Sequence, residues 1–206
     1  MEVAFGGGGG GAVAGEASLS SPLPLAFSVT GPDAGKSFLA VNPQGNVPAL
    51  VLEGGLLLAE QTPIQMWIAD QSPESKLAPA WGTPARYEML AALSFVGTDL
   101  HAGTYGPMFN PAMAPAKDAF LAKLEAKLTL LESKLKGKKF FLGDEVCGAD
   151  LYAYICTAWG QYLGAPDLKT THPELAAYRE RIAALPFVQA AHAAMAKASP
   201  AAAAQH

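Results

Sequence analysis

The order of patterns along the chain predicts two different layers, a small α/β unit followed by an all-helical domain. Three observations carry that prediction. Short apolar runs, Ala49–Leu52 and Leu56–Ala59, flank Glu53-Gly54-Gly55 in the first third. From residue 83 onward, apolar residues recur at helical spacing instead. Between the two regimes, Gln71 to Gly82 carries Ser72-Pro73, Pro79 and Gly82 and reads as a linker. The expected division is residues 1–70, a linker over 71–82, a helical domain over 83–198 and a fraying tail over 199–206.

The first element is the least regular. Residues 6–11 are consecutive glycines, a run that loses too much backbone entropy to order without a ligand or tight packing. Pro22 and Pro24 then oppose a helix, and Leu25 to Thr30 predicts a short strand closed by the turn Gly31-Pro32-Asp33. The Gly54-Gly55 pair predicts a tight hairpin between the next two strands. Glu60 to Asp70 has helix spacing, with Ile64, Trp67 and Ile68 on one face and Pro63 tolerable in the first turn.

The helical part follows by the same logic. Leu90, Leu93, Gly97 and Leu100 form one face. Phe120, Leu121, Leu124, Leu128, Leu131 and Leu135 form a second stripe opposite Lys and Glu. That helix ends at Lys136-Gly137-Lys138-Lys139, where basic residues meet the negative end of its dipole. Later helices are expected over Gly148–Leu163, Pro173–Ala184 and Pro186–Lys197.

Composition narrows the functional classes. Hydrophobic residues are 50% and charged ones 16%, which fits a globular chain. Net charge is −4, with no basic stripe to track phosphates, so nucleic acid is not an expected partner. No apolar run approaches the roughly 20 residues of a membrane span, and no membrane partner is expected. Cys147 and Cys156 read as two reduced buried thiols rather than a disulfide or metal pair, and no metal is expected. The start, MEVAFGGGGGG, lacks an early Lys or Arg and a leucine-rich core, which argues against a secretory signal. A reducing cytoplasm is the expected compartment.

One phosphate-loop pattern fails on inspection. Gly35-Lys36-Ser37 has the right ending, but Thr30 stands at the first glycine position and Asn42-Pro43 forbids a long following helix.

The stretch from Phe38 to Asp70, FLAVNPQGNVPALVLEGGLLLAEQTPIQMWIAD, resembles the second half of the glutathione-binding domain of soluble glutathione transferases. The beta-class, bacterial-type branch is the most similar, and the likeness runs from about Phe38 to about Met195. The resemblance implies a thioredoxin-like N-terminal domain before the helical one, with glutathione as co-substrate and a small hydrophobic electrophile as its partner. It also implies a cytoplasmic homodimer engaged in detoxification, in which Met66 and Trp67 face either a partner or the core.

Residue by residue, the resemblance implies the following site. At Asn46-Val47-Pro48 the proline is cis, and the Val47 backbone pairs with the cysteinyl part of glutathione. Glu60-Gln61 takes the γ-glutamyl end, its helix start suiting a carboxylate and the Glu60 side chain an α-ammonium. Gln44 stands where a Lys is common. Gly15-Glu16-Ala17-Ser18-Leu19 matches the family's Gly-Ala-Cys-Ser-Leu, so Ala17 replaces the Cys and Ser18 is the remaining hydroxyl for the sulfur. His101, in Asp99-Leu100-His101, borders the family's cleft, while Ala102 and Ala158 replace charged residues of some relatives. Tyr105 and Phe109 either line an apolar wall or fill an interface. Cys147-Gly148-Ala149-Asp150 stands at a helix-capping box, with Asp150 able to serve its half. These replacements leave a second reading, a non-catalytic binding or interaction module of the same fold.

Overall fold

The computed structural model describes residues 11–15, 27–29 and 37–198. Ser18, most of the glycine run and the tail beyond Ala198 lie outside them. The chain divides into two compact units, one ending at Ile68 and rejoined by the chain from His192, the other comprising Ala69–Ala191.

The first unit is a four-stranded sheet in the order β2-β1-β3-β4. Strand β1 is Gly11–Gly15, β2 is Phe27–Val29, β3 is Ala49–Val51 and β4 is Leu57–Ala59. All three ladders are antiparallel. Gly11, the last glycine of the run, is thus ordered, and pairing of β1 on both edges supplies what an isolated glycine segment lacks. The hairpin between β3 and β4 forms as the Gly-Gly pair requires. Gly54 and Gly55 both have positive φ (88° and 86°), and Leu52 N–H donates to the Leu56 carbonyl at 2.8 Å.

Helix α1 spans only Phe38–Val41, consistent with Asn42-Pro43 interrupting it. Its Phe38 packs with Ala49 against Val41, Val47, Val51 and Leu57, the small core under this sheet. Helix α2, Gln61–Gln71, starts one residue later than its spacing suggests. Glu60 adopts a left-handed φ of 73°, outside the helix, while its carbonyl accepts from Ile64 N–H at 3.4 Å. Glu60 is therefore the residue before the first turn rather than part of it.

In the second unit the stretch after α2 is pinned. Arg86 is 2% exposed and grips both carboxylate oxygens of Asp70, at 2.8 and 2.7 Å. The same guanidinium donates to the Pro79 carbonyl and lies 4.1 Å from the centre of the Trp81 ring. Gly148 N–H donates to the Leu77 carbonyl at 2.8 Å. Arg86 belongs to helix α3, Pro84–Phe95, whose Thr83 cap accepts from Arg86 N–H and whose Pro84 occupies the first helical position.

Helix α3 does not continue as an ordinary α-helix. Val96–Tyr105 is a π-helical segment, where the leucine spacing suggested unbroken α-helix. Its glycines explain how the wider turn is accommodated. A Cβ on Gly103 would lie 2.6 Å from the Thr98 carbonyl oxygen, so only glycine fits. Lys123 donates to the Gly103 carbonyl and Lys127 pairs with Asp99, which ties the segment to the long helix that carries both lysines.

After the short α4, Gly106–Met108, helix α5 spans Lys117–Leu135 and buries Leu124, Leu128, Leu131 and Leu135 as its stripe requires. Helix α6 is Gly148–Ala158; the expected single helix to Leu163 breaks at Trp159 and resumes as α7, Gly160–Leu163. Helices α8 (Leu168–Thr171), α9 (Pro173–Ala183) and α10 (Pro186–Ala198) complete the chain.

The Arg86–Asp70 pair makes stability depend on acid in a defined direction. Hydrogen bonding from Arg86 holds the Asp70 carboxyl below its ordinary value. The stabilisation is therefore complete above about pH 4 and disappears as pH falls through the lowered folded-state value. Asp70→Asn is expected to cost about 2–3 kcal/mol at pH 7 and to flatten that part of the acid limb. Urea titrations between pH 7 and pH 3 measure it; an acid limb parallel to that of the unsubstituted chain would refute the assignment.

Candidate functional site

The end of the β3–β4 hairpin away from Gly54-Gly55 collects the expected glutathione-binding residues. Ala49 pairs with Ala59, so Pro48 leads into one strand where Glu60 leaves the other. Strands in a ladder lie about 4.8 Å apart, which keeps Val47-Pro48 and Glu60-Gln61 at one edge of the sheet. Strand β1 ends there too. Gly11 pairs with Val51 and Val13 with Ala49, so continuing the register sets Gly15 beside Val47. The chain thus leaves β1 at this same end, three residues before Ser18.

The turn into Val47 is built by a residue that the sequence reading passed over. Asn42 is fully buried. Its side-chain amide donates to the Asn46 carbonyl at 2.7 Å, and its Oδ1 accepts from Gln44 N–H at 3.2 Å. Gly45 N–H donates to the Asn42 carbonyl at 3.0 Å, and Gly45 then takes a left-handed φ of 70° that turns the chain toward Asn46. The Val47-Pro48 bond that follows is cis. No backbone partner among the described residues takes the Val47 N–H or C=O. The motif Asn-Pro-x-Gly was the available signal, since a buried Asn beside a glycine turn commonly bonds its own backbone.

Glu60 is exposed, with its backbone in a region that costs a non-glycine residue about 1–3 kcal/mol. Beyond it, Gln61 and Thr62 N–H groups bond nothing among the described residues, and Pro63 has no N–H. Two open donors at a helix start beside one exposed carboxylate suit a group carrying both an anion and an ammonium.

The second unit holds the other expected residues in an aromatic cluster. His101 Nδ1 lies 2.7 Å from the Tyr152 hydroxyl, and the imidazole meets Trp159 edge-on at 4.8 Å between centres. Tyr105 and Phe109 also set their rings edge-on to Trp159, at 5.9 and 5.7 Å. His101, Tyr105 and Phe109 are spaced four residues apart and all three meet the Trp159 ring. Tyr105 is 1% exposed, so its ring fills the interior of this unit rather than an open wall, and burial pushes its phenol well up from its ordinary pKa. Phe109 and Trp159 are half-buried and do present ring surface. Tyr152, the partner of His101, was absent from the sequence reading because nothing local links positions 51 residues apart.

The two thiols are free and buried, and burial raises both above the ordinary range, which makes them inert. Among the described residues no cluster of His, Cys, Asp or Glu suits a metal ion, and no helix is long and apolar enough to cross a membrane.

Asn42→Ala is expected to lower stability by about 2 kcal/mol, because the Asn46 carbonyl loses its buried donor. It is also expected to weaken S-hexylglutathione binding several-fold in calorimetry. Full affinity in a folded variant would show that the turn plays no part in binding.

Comparison with known proteins agrees with this geometry. Residues 96–186 match the family model "Glutathione S-transferase, C-terminal domain". Glutathione S-transferase GstA of Escherichia coli O157:H7 is 34% identical over 156 residues, covering 75% of this chain and 76% of that one. A sphingomonad glutathione S-transferase solved in complex with glutathione is 38% identical, with a TM-score of 0.75, over 88% of this chain and 85% of that one. The bacterial beta-class enzyme of Sphingomonas chungbukensis is 36% identical at a TM-score of 0.74, with 88% and 85% coverage. An edge of thioredoxin-like strands followed by a helical domain, matched in both sequence and structure, makes this chain a member of the glutathione S-transferase family.

Proposed function

We propose that the chain conjugates glutathione to small apolar electrophiles, with the tripeptide held at the open end of the β3–β4 hairpin. The observation that carries this is the strand register, which gives Val47-Pro48 and Glu60-Gln61 a common edge. The Val47 backbone, without a partner among the described residues, supports pairing with the cysteinyl residue as an added strand. Gln61 and Thr62 N–H groups suit the γ-glutamyl carboxylate, and the Glu60 carboxylate its ammonium. Asn46 and Pro48 shape the turn on which that edge depends.

Ser18 is the proposed activating group, its hydroxyl donating to the glutathione sulfur and stabilising the thiolate. The end of β1 beside Val47 supports that position. With Ala17 in the usual cysteine place, no mixed disulfide forms there. The thiol gives its proton to solvent, the thiolate forms a sulfur–carbon bond, and the electrophile's leaving group departs with its electron pair. Phe109 and Trp159 offer apolar ring surface to such a substrate, and His101, oriented by Tyr152, is the second polar group proposed to tune the thiol. A cytoplasmic homodimer is part of the same reading, by family.

Ser18→Ala is expected to cut the conjugation of a chromogenic aryl halide at least tenfold, about 1.4 kcal/mol of transition-state stabilisation. An unchanged kcat would remove Ser18 from the mechanism. Glu60→Gln is expected to raise KM for glutathione about tenfold with kcat nearly kept, because the lost ammonium contact serves binding rather than chemistry. A variant with unaltered KM would place the γ-glutamyl end elsewhere.

A further inference from the structure

A second candidate site lies wholly within the helical unit. A cleft of about 480 Å³ opens among α6, α7, α8 and α9, with the buried Tyr105 and Leu128 at its floor. Its walls are small and apolar at Ala158, Ala165, Pro166, Ala176 and Ala183. The volume is in the range that holds a compact organic molecule.

Four charged side chains line the cleft, Asp167, Lys169, Arg179 and Glu180, and Arg179 is the one whose head group is bonded to α6. Its Nη1 spends both protons on α6, donating to the Tyr154 carbonyl and to Thr157 Oγ1, each at 2.6 Å. Thr157 Oγ1 accepts in turn because its own proton goes to the Ala153 carbonyl at 2.7 Å. The Tyr154 ring lies 5.0 Å from the guanidinium carbon. The head group is therefore fixed from one side by neutral partners. Its opposite edge, Nε and Nη2, bonds nothing among the described residues, and neither atom is sealed from solvent.

Asp167 and Glu180 line the same cleft, but among the described residues neither forms an ion pair with this cation. Glu180 is paired with Lys169 at 3.0 Å, both side chains well exposed. Asp167 accepts from Lys169 N–H at 3.0 Å, capping α8. Burial lowers the Arg179 pKa from its ordinary value. A guanidinium remains charged even so. Here it is a fixed cation with no ion-pair partner among the described residues, and with a two-nitrogen edge of the spacing a carboxylate matches.

We propose that this cleft binds a small organic monocarboxylate, its carboxylate gripped by Arg179 Nε and Nη2 and its apolar body against the alanine walls. This goes beyond the conjugation reading and shares no residue with the hairpin edge that binds glutathione. The occupant is therefore a ligand additional to glutathione, not a form of it.

Calorimetry with 4-phenylbutyrate and its uncharged analogue 4-phenylbutanamide tests the proposal, with S-hexylglutathione kept saturating to block the transferase site. The acid is expected to bind one site per chain, about tenfold tighter than the amide. Arg179→Gln should erase that preference and Arg179→Lys should restore part of it, while aryl-halide conjugation stays within twofold. Ala183→Phe, which fills the cleft and leaves the guanidinium in place, should abolish binding of both probes. Failure of Arg179→Gln to fold leaves Ala183→Phe and Arg179→Lys to decide. Absence of saturable binding, equal affinity for acid and amide, or full affinity in a folded Arg179→Gln or Ala183→Phe would overturn the proposal.

Discussion

One buried carboxylate sets the position of the helix on which the helical unit's chemistry is built. Asp150 is fully buried and accepts three hydrogen bonds: from Cys147 N–H at 2.8 Å, from Phe141 N–H at 2.9 Å and from the Tyr178 hydroxyl at 2.8 Å. The first caps α6, the second ties down the strand-like turn at Phe140–Gly143, and the third fixes α9. An ionised group can be held in an interior only when its lone pairs are met this way. With α6 so placed, its two faces do different work. Tyr152 and the following Trp159 hold the His101 cluster, while Tyr154 and Thr157 hold Arg179.

In the first unit the strand ladder stops short at one end, where the proposed glutathione contacts would lie. A strand that bonds all its neighbours has nothing left for a peptide ligand, and one that bonds none does not order. Here the pairing stops at Ala49 and Ala59, and the chain is then held by side chains instead. Asn42 carries the turn before Val47 without consuming the Val47 edge. Glu60 carries the reversal after β4 at a backbone cost that glycine would avoid, and in exchange presents a carboxylate beside open helix donors.

What was legible in the sequence divides along physical lines. Local rules sufficed where one dominated. Gly54-Gly55 specified its hairpin, Pro63 sits in the first turn of α2 where it was tolerable, and the α5 leucines form their buried stripe. The family resemblance located the cis Val47-Pro48 and the hairpin edge. Reading failed where structure depended on distant partners. Gly97, Gly103 and Gly106 in one helix marked a departure from α geometry, yet helical spacing of leucines concealed the π-helical turn. The pairing of Gly11 with Val51, the placing of Tyr152 against His101 and the orientation of Arg179 all arise from tertiary contacts without local signature.

The two half- or fully-buried arginines of the helical unit show how charge compensation separates scaffold from site. Arg86 has a carboxylate on both of its terminal nitrogens, and the cost of burying the ion is met within the fold. Any anion arriving there would have to displace Asp70, so that guanidinium is closed to ligands. Arg179 is oriented just as firmly, but by a carbonyl and a hydroxyl, which direct its protons without cancelling its charge. Its remaining donors stand beside a cleft whose two lining carboxylates are engaged elsewhere, Glu180 with Lys169 and Asp167 as the cap of α8. A fold that needed only stability at this position would be served by an aliphatic side chain packed against Tyr154, at no desolvation cost. An oriented, unneutralised cation beside an apolar cleft is instead the arrangement that makes an anion's binding favourable, because its orientation has already been set before the ligand arrives.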